Sequence, residues 1–471
     1  MKSTKIEPEI QSILKRVIQK YPPVSDIVQA IHAQGGRSLL VGGATRDLMM
    51  KLPEAQIKDL DIEVHGISLE QLEDILKQFG QVSLVGKSFG VLRLHGLDVD
   101  WSLPRTDTSG RKPKVHIDPH MGFKQAFARR DLTINAMGID LITYELIDPF
   151  DGLEDLRKKI LRAPDPKFFV EDSLRFYRVM QFMSRFEFMP DEQLEQLCKR
   201  MDVSKVSVER IEQEFRKMLL RSTYPSLGIR WLKKIERLSD IFPELGALVN
   251  TPQNPEWHPE GDVFEHTMQS LDAAAALKYK TDDEKLIILY AALCHDLGKA
   301  VDTKFEEGKI VSIGHEKESA KLTKQLLKRI MRNNIIIDTV KVLVRNHMAP
   351  SQFVEQGAKL AAYKRLARKL TPYATLSMLA KLAYADKRGR NATSYKPLSI
   401  TIPEIDEFLI QAQQAQVLQR PEEPVLQGRD LINEVPPGPA LGELLKKAYL
   451  IQIEEGITDK EELKRRVLPK S

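Results

Sequence analysis

Several things are scarce in this chain, and each scarcity excludes a class. Cysteine occurs only twice in 471 residues, at Cys198 and Cys294, which is too few for a disulfide framework and reads as a reducing compartment. No apolar run approaches the roughly 20 residues that span a bilayer, so no membrane partner is expected. The opening MKSTKIEPEIQS lacks the apolar core of an export signal, and together these features point to the cytoplasm. Net charge is also small, at +5, so a nucleic acid would have to be gripped by local basic patches rather than by an overall field. No internal repeat is present.

What remains is an ordinary globular composition, long enough for two to four domains. Residues 5–34 read as helical. SLLVG, DLDIEV, QVSLVG, GVLRL and LDVDWSL then give short β-type segments, with the helical SLEQLEDILKQFG between two of them. TDTSGRKPKVHIDPHMG follows as a polar loop whose Arg111, Lys112 and Lys114 suit phosphate contact and equally suit a solvated surface. From about 156 the period is helical. A Pro-rich boundary lies in LVNTPQNPEWHPEGD, helices are expected from 262 to about 388, and the segment 400–471 reads as two helices split by GRDLINEVPPGPALG. The expected domains are 1–155, 156–255, 256–390 and 391–471.

Two groups of residues carry chemistry. In LLVGGATRDLM and KDLDIEV, Gly42 and Gly43 follow an apolar strand and let backbone N–H groups approach a phosphate at a helix start, with Arg46 and Asp47 in the first turns. Asp59 and Asp61 are spaced to share one face of a strand, and Asp100 in LDVDWSL adds a third acid. Such a set can hold divalent cations beside a triphosphate. Further on, His266, the pair His295-Asp296 and the distant Asp386 make a mixed N/O metal set able to lower the pKa of bound water. His315 and His347 offer ligands for a second metal or donors to a phosphate, and Lys299 a phosphate contact.

The first group, with RRDLTINAMGI at 129–139, IDPFDGLEDLRKKILR at 147–162, EDSLRFYRVMQFMSRFEF at 171–188 and VERIEQEFRKML at 208–219, resembles the class II tRNA nucleotidyltransferase and bacterial poly(A) polymerase family. The resemblance implies an α+β fold: a polymerase β-like nucleotidyltransferase head with a mixed sheet, an all-helical neck and body, and a helical C-terminal region. It implies Asp59, Asp61 and Asp100 as catalytic ligands of Mg2+, and Arg130 and Asp131 at the incoming nucleotide. Asp172 and Arg175, three apart on a helix, would read the Watson-Crick edge of C or A, with Arg178 holding base or phosphate. Phe182 and Phe186 are expected in the core. WHPEGDVFEHT with CHDLGK resembles the HD phosphohydrolase superfamily, which implies a site for Mn, Ni, Mg, Zn or Fe acting on cyclic or terminal phosphates. The expected substrates are tRNA, CTP and ATP, for addition of C, C and A. Poly(A) synthesis, or addition of CC or A alone, is the alternative. Lys446, Lys447, Lys464, Arg465 and Arg466 would touch tRNA phosphates.

Overall fold

The computed structural model describes residues 4–85, 90–107 and 115–468. Arg111, Lys112 and Lys114 of the polar loop lie outside the described residues. The chain divides into two compact units, Met1–Val206 and Ser207–Ser471.

In the first unit the region expected to be one helical stretch is a short strand, Thr4–Lys5, and two helices, Pro8–Gln19 and Pro23–Ala33. Pro22 and Pro23 force the break, because proline lacks the N–H that a continuing helix needs but fits a helix start. Both helices present buried stripes, Ile10, Leu14 and Val17 on one and Val24, Ile27, Val28 and Ile31 on the other, spaced to cover a sheet.

That sheet has eight strands. In chain order the unit's strands are β1 (Thr4–Lys5), β2 (Arg37–Val41), β3 (Leu60–His65), β4 (Val82–Val85), β5 (Val91–Leu94), β6 (Val99–Ser102), β7 (Arg105–Asp107), β8 (Val115–Ile117), β9 (Gly138–Asp140), β10 (Glu145–Ile147), β11 (Ile160–Leu161) and β12 (Met189–Pro190). The sheet runs β1-β10-β9-β2-β3-β6-β5-β4, while β7 and β8 form a separate hairpin. Among the described residues of this sheet β3 and β6 pair in parallel and the other pairs are antiparallel, which makes the sheet mixed as expected; β11 and β12 form a separate parallel pair. Leu39 and Val41 of β2 pack with Phe127, Ala136 and Ile147 in one buried cluster. The Leu69–Lys77 helix starts at a capping box between Ser68 and Gln71, each satisfying a backbone N–H of the first turn.

One expectation fails here. Asp59 does not share a strand face with Asp61, because β3 begins at Leu60 and Asp59 precedes it with φ +54°. That left-handed backbone is tolerated by aspartate and breaks the alternation. A second correction concerns Asp172 and Arg175. The Pro166–Glu171 helix ends at Asp172, which is extended, and the next helix, Leu174–Phe186, begins two residues later. Asp172 therefore lies in the joint between helices, where its Oδ1 accepts from Leu174 N at 3.1 Å.

The second unit is helical apart from a hairpin of Lys304–Glu306 with Lys309–Val311. Its central helices start where short polar side chains take an orphan N–H of the first turn: Asp262 before Val263–Ala275, Thr281 before Asp282–Cys294, and Thr375 before Leu376–Arg388. The C-terminal segment holds more helix than expected, with Pro403–Gln414, Gly428–Leu431, Pro439–Glu455 and Lys460–Val467. Its Gly/Pro stretch is less a spacer than a helix start, since Pro439 occupies the first turn. Among the described residues no helix is long and apolar enough to cross a membrane.

Candidate active sites

In the head, β2 delivers the chain to Gly42, whose φ of +70° favours glycine. A Cβ there would lie 3.2 Å from Arg130 Nη1 and 3.5 Å from Asp61 Oδ2, so the missing side chain lets a guanidinium and a carboxylate approach the turn. The Gly43–Met49 helix follows at once. Asp61 stands opposite Val41 on one side and opposite Asp100 on the other, across the parallel β3–β6 pair. In-register neighbours share a face, so these two acids converge. Burial around the carboxylate, then the charges of Asp100 and Asp59, push Asp61 up to about 6 against the opposing pull of Arg130. Acids crowded in this way, oxygen donors all, fit a hard divalent cation. Asp100 is also tied to Arg93 on β5, with Nε at 2.6 Å.

The residue that alternates with Asp61 on β3 is Glu63, which the sequence reading passed over. It is fully buried and collects Arg130 at 3.4 Å, Arg129 at 3.5 Å and His65 at 3.1 Å. Burial alone would raise its pKa, but His65, Arg130 and Arg129 hold it lowered. The signal was available, since Asp61, Glu63 and His65 in DIEVH fall on one strand face.

Asp131 receives Arg178 at 2.7 and 2.6 Å and Asn135 Nδ2 at 3.0 Å. Although burial pushes it up, Arg178, Asn135 and Arg175 hold it at about 2. Asn135 Oδ1 in turn accepts from Arg46 at 2.6 Å, and Arg46 also donates to Asp47. Arg46 and Asp47 are thus in the helix as expected, but buried and paired with each other. The Arg46 guanidinium lies over the rings of Phe182 and Phe186, which stack with centroids 5.6 Å apart. The Arg175 guanidinium donates to the carbonyls of Phe168 and Arg129.

In the second unit all the expected ligands meet. His266 Nε2 lies 3.2 Å from His295 Nε2 and 3.2 Å from Asp386 Oδ1, and Asp296 Oδ2 lies 3.3 Å from His295 Nε2. His315 Nε2 and His347 Nε2 are 3.3 Å apart, and His315 is 3.2 Å from the other oxygen of Asp296, Oδ1. Asp296 therefore bridges two foci. Each imidazole has an acceptor at Nδ1: Gly389 O for His266, Ala292 O for His295, Ser312 O for His315 and Val344 O for His347. The proton therefore sits on Nδ1, which leaves two pairs of Nε2 lone pairs facing each other across hydrogen-bonding distance. Lone pairs so opposed repel unless a cation lies between them, so both foci fit a metal. Asp296 Oδ1, buried and without a well-aligned hydrogen bond, fits the same reading. Lys299 Nζ sits 2.8 Å from Asp296 Oδ2 and 2.8 Å from Gln253 Oε1.

Close packing sets this geometry. A Cβ on Gly298 would come within 2.2 Å of His315 O, so only glycine lets the turn after His295-Asp296 abut the start of the His315–Ile330 helix. The sequence reading missed His258 and Glu260. Glu260 Oε1 accepts from His266 Nδ1 at 2.7 Å and His258 Nδ1 at 2.9 Å. Burial would raise Glu260, but the bonds from His258 and His266 hold it at about 2.

A family model of the poly A polymerase head domain matches residues 38–162, and one of the HD domain matches residues 263–381. The multifunctional CCA protein of Pasteurella multocida (strain Pm70) is 34% identical over 364 residues, covering 74% of this chain and 83% of that protein. The chain belongs to the CCA-adding nucleotidyltransferase family with a fused HD domain. Another member, the multifunctional CCA protein of Burkholderia pseudomallei (strain K96243), is 33% identical over 76% of this chain and 86% of its own length. The fold is shared with the solved CCA-adding enzyme of Bacillus stearothermophilus in complex with CTP, at TM-score 0.63 and 20% identity over 98% of both chains. It is also shared with the Thermotoga maritima CCA-adding enzyme complexed with tRNA, at TM-score 0.56 and 19% identity over 98% of this chain and 96% of that one. The HD-domain match ends at residue 381, yet the geometry places Asp386, expected from the sequence, 3.2 Å from His266 Nε2.

Proposed function

We propose that this chain completes or repairs tRNA 3′ ends in the cytoplasm by adding C, C and A from CTP and ATP, and that its HD domain hydrolyses cyclic or terminal phosphates at RNA ends. The observation that carries the first reading is the register of Asp61 against Asp100 beside the Gly42 turn. Asp59, Asp61 and Asp100 would hold Mg2+, which supplies charge stabilisation to the attacking hydroxyl, the α-phosphate and the leaving pyrophosphate. Gly42 and Gly43 leave the backbone open to the triphosphate. Arg130, anchored on Glu63, meets its charge. Asp131 aims Arg178, and Arg46 with Asp47 braces that pair from behind through Asn135. Asp172 accepts from the exocyclic amine of C or A, and Arg175 donates to the base once its guanidinium turns from the carbonyls of Phe168 and Arg129. The segments are 1–155 for the head, 156–255 for neck and body, 256–390 for the HD domain and 391–471 for the C-terminal RNA-binding region.

For the HD domain, His266, His295, Asp296 and Asp386 would hold one divalent ion, and Asp296, His315 and His347 a second. Manganese, nickel, magnesium, zinc and iron all suit parts of such an N/O set. Lys299 is placed for the phosphate. The decisive experiment gives purified protein a tRNA ending before CC together with CTP, ATP and Mg2+, and reads product length. Extension by all three nucleotides is expected. Arrest after CC, or continued A addition to unrelated RNA, overturns the reading in favour of a partial enzyme or a poly(A) polymerase.

A further inference from the structure

Strand β3 carries a carboxylate where a central strand ordinarily carries an apolar side chain. Glu63 pairs in register with Leu39 on β2 and with Ser102 on β6, and its side chain is completely buried. An ion cluster in such a place seldom stabilises a fold more than apolar packing would. Its consequence is where it puts the charges of its partners.

The carboxylate divides its two oxygens. Oε1 meets His65 Nε2 at 3.1 Å, and the His65 ring is itself set edge-on against Phe123 with centroids 4.8 Å apart. Oε2 is thereby turned to the other side, where it meets Arg130 Nη2 at 3.4 Å and Arg129 Nη2 at 3.5 Å. The Arg130 guanidinium also lies over the Phe127 ring, 5.4 Å from its centroid, and Phe127 belongs to the buried cluster of Leu39 and Val41. Held by ring and carboxylate, Arg130 turns its other edge to the glycine turn. There Nη1 lies 3.2 Å from the place a Cβ on Gly42 would take, and Asp61 Oδ2 lies 3.5 Å from the same point. Arg130 Nε, also buried, has no hydrogen-bond acceptor among the described residues. One carboxylate set against two guanidiniums leaves positive charge in excess beside the turn, which suits an anion.

We propose that Glu63 is a positioning residue for nucleotide addition: by holding Arg130 against Phe127 it presents the Nη1 edge to the triphosphate at the Gly42 turn, and it acts on the phosphates and not on the base. The inference rests on the placement of Arg130 at the incoming nucleotide and extends it to a fully buried side chain. A guanidinium preset in this way loses less freedom when the anion arrives. The base side is reached from a different part of the segment, because Arg175 donates to the backbone carbonyl of Arg129 and not to the side chain that Glu63 holds. C and A should therefore be affected alike.

The test measures KM for CTP and for ATP, Ki for pyrophosphate and kcat, with the full chain, Mg2+ and tRNAs ending before CC and before A. Wild type, Glu63→Gln, Arg130→Ala and the double variant are compared. In Glu63→Gln, which keeps the shape and loses the charge, both KM values and the pyrophosphate Ki should rise by a common factor of about tenfold, the scale of a weakened charge-assisted hydrogen bond. The kcat and the KM for tRNA should change far less. Arg130→Ala should raise the same constants at least as much, and adding Glu63→Gln to it should change nothing more, since a positioning residue has no effect without the group it positions. A general loosening of the sheet would instead lower kcat and the melting temperature and would add to the effect of Arg130→Ala. An unchanged pyrophosphate Ki in Glu63→Gln, a different factor for CTP and ATP, or an additive double variant overturns the proposal. Unchanged constants in Arg130→Ala overturn the placement of Arg130 itself, and the proposal with it. If the wild type extends no tRNA, the tRNA reading fails, and equilibrium binding of CTP, ATP and pyrophosphate decides Glu63 by the same comparison. Should Glu63→Gln not fold, His65→Phe takes its place: it keeps a ring against Phe123, removes the bond to Oε1 and should raise the same three constants together, and a failure to do so overturns the proposal.

Discussion

Asp61 and Asp100 face each other across the parallel strands β3 and β6, with one carboxylate pushed up to about 6 by its surroundings. Replacing Asp61 by Asn removes a proposed metal ligand and a crowded charge together. Nucleotide addition should fall roughly a thousandfold or more, the scale of several kcal/mol of lost charge stabilisation. The melting temperature should hold or rise. Gel-resolved extension of a truncated tRNA measures the first and calorimetry the second, while HD-domain hydrolysis of 2′-AMP should persist.

The Asp131–Arg178 pair makes the first unit sensitive to acid. Asp131 sits at about 2, against an ordinary 3.8, so its contribution is present above pH 4 and lost as pH falls through 2. Asp131→Asn should therefore cost roughly 2 kcal/mol near neutral pH, and wild type and variant should converge toward pH 2. Denaturant melts at several pH values measure this gap, and a gap that stays constant with pH would show that the pair carries no such linkage.

Asp272 behaves in the opposite sense. It is buried in the Val263–Ala275 helix and pushed up to about 7, with Ser226 N and Oγ donating to it at 2.9 and 2.6 Å. A raised folded pKa gives stability that is full below about pH 4 and lost as pH rises through 7. Asp272→Asn retains both contacts to Ser226 without the charge. Its melting temperature should exceed that of wild type at pH 8, by the equivalent of roughly 4 kcal/mol, and match it at pH 4. Asp272→Ala, which loses both contacts, should be destabilised at either pH.

The HD centre should take two divalent ions, because Asp296 offers one oxygen to each pair of histidines. Metal content after dialysis should read two per chain for the wild type, one for His347→Ala and none for Asp296→Ala. Glu260→Gln keeps the shape of the side chain but weakens its hold on His266 Nδ1. Metal affinity at that focus should drop about 10- to 100-fold, the usual effect of losing an outer-shell partner.

Residues whose role depends on near neighbours were legible in the sequence, and residues whose role depends on distant ones were not. The glycine turn announced itself because a strand, Gly42 and a helix start are contiguous. The HD residues were legible through the resemblance of WHPEGDVFEHT and CHDLGK to the HD superfamily, where a lone His-Asp pair would have read as an ordinary structural contact. Asp59 was misplaced because alternation says nothing about where a strand begins. Glu63 was passed over because its partners, Arg129 and Arg130, are about 65 residues away in sequence and reach it only once β3 is central to the sheet. Asp172 and Arg175 were placed three apart on one helix, whereas Asp172 lies in the joint before the Leu174–Phe186 helix and Arg175 donates to the carbonyls of Phe168 and Arg129. Asn135, which joins Asp131 to Arg46, carries no signal in a single sequence.

The Nδ1 contacts of the four histidines differ in how far they reach. His295, His315 and His347 each use the carbonyl three residues earlier, so a single local turn aims each ring. His266 instead shares its Nδ1 between Glu260, in the loop before its own helix, and Gly389, 123 residues along the chain. Three of the rings are aimed by their own turn and the fourth partly by a distant one, so an insertion near Gly389 would loosen the focus around His266 and Asp386 before it reached the one around His315 and His347.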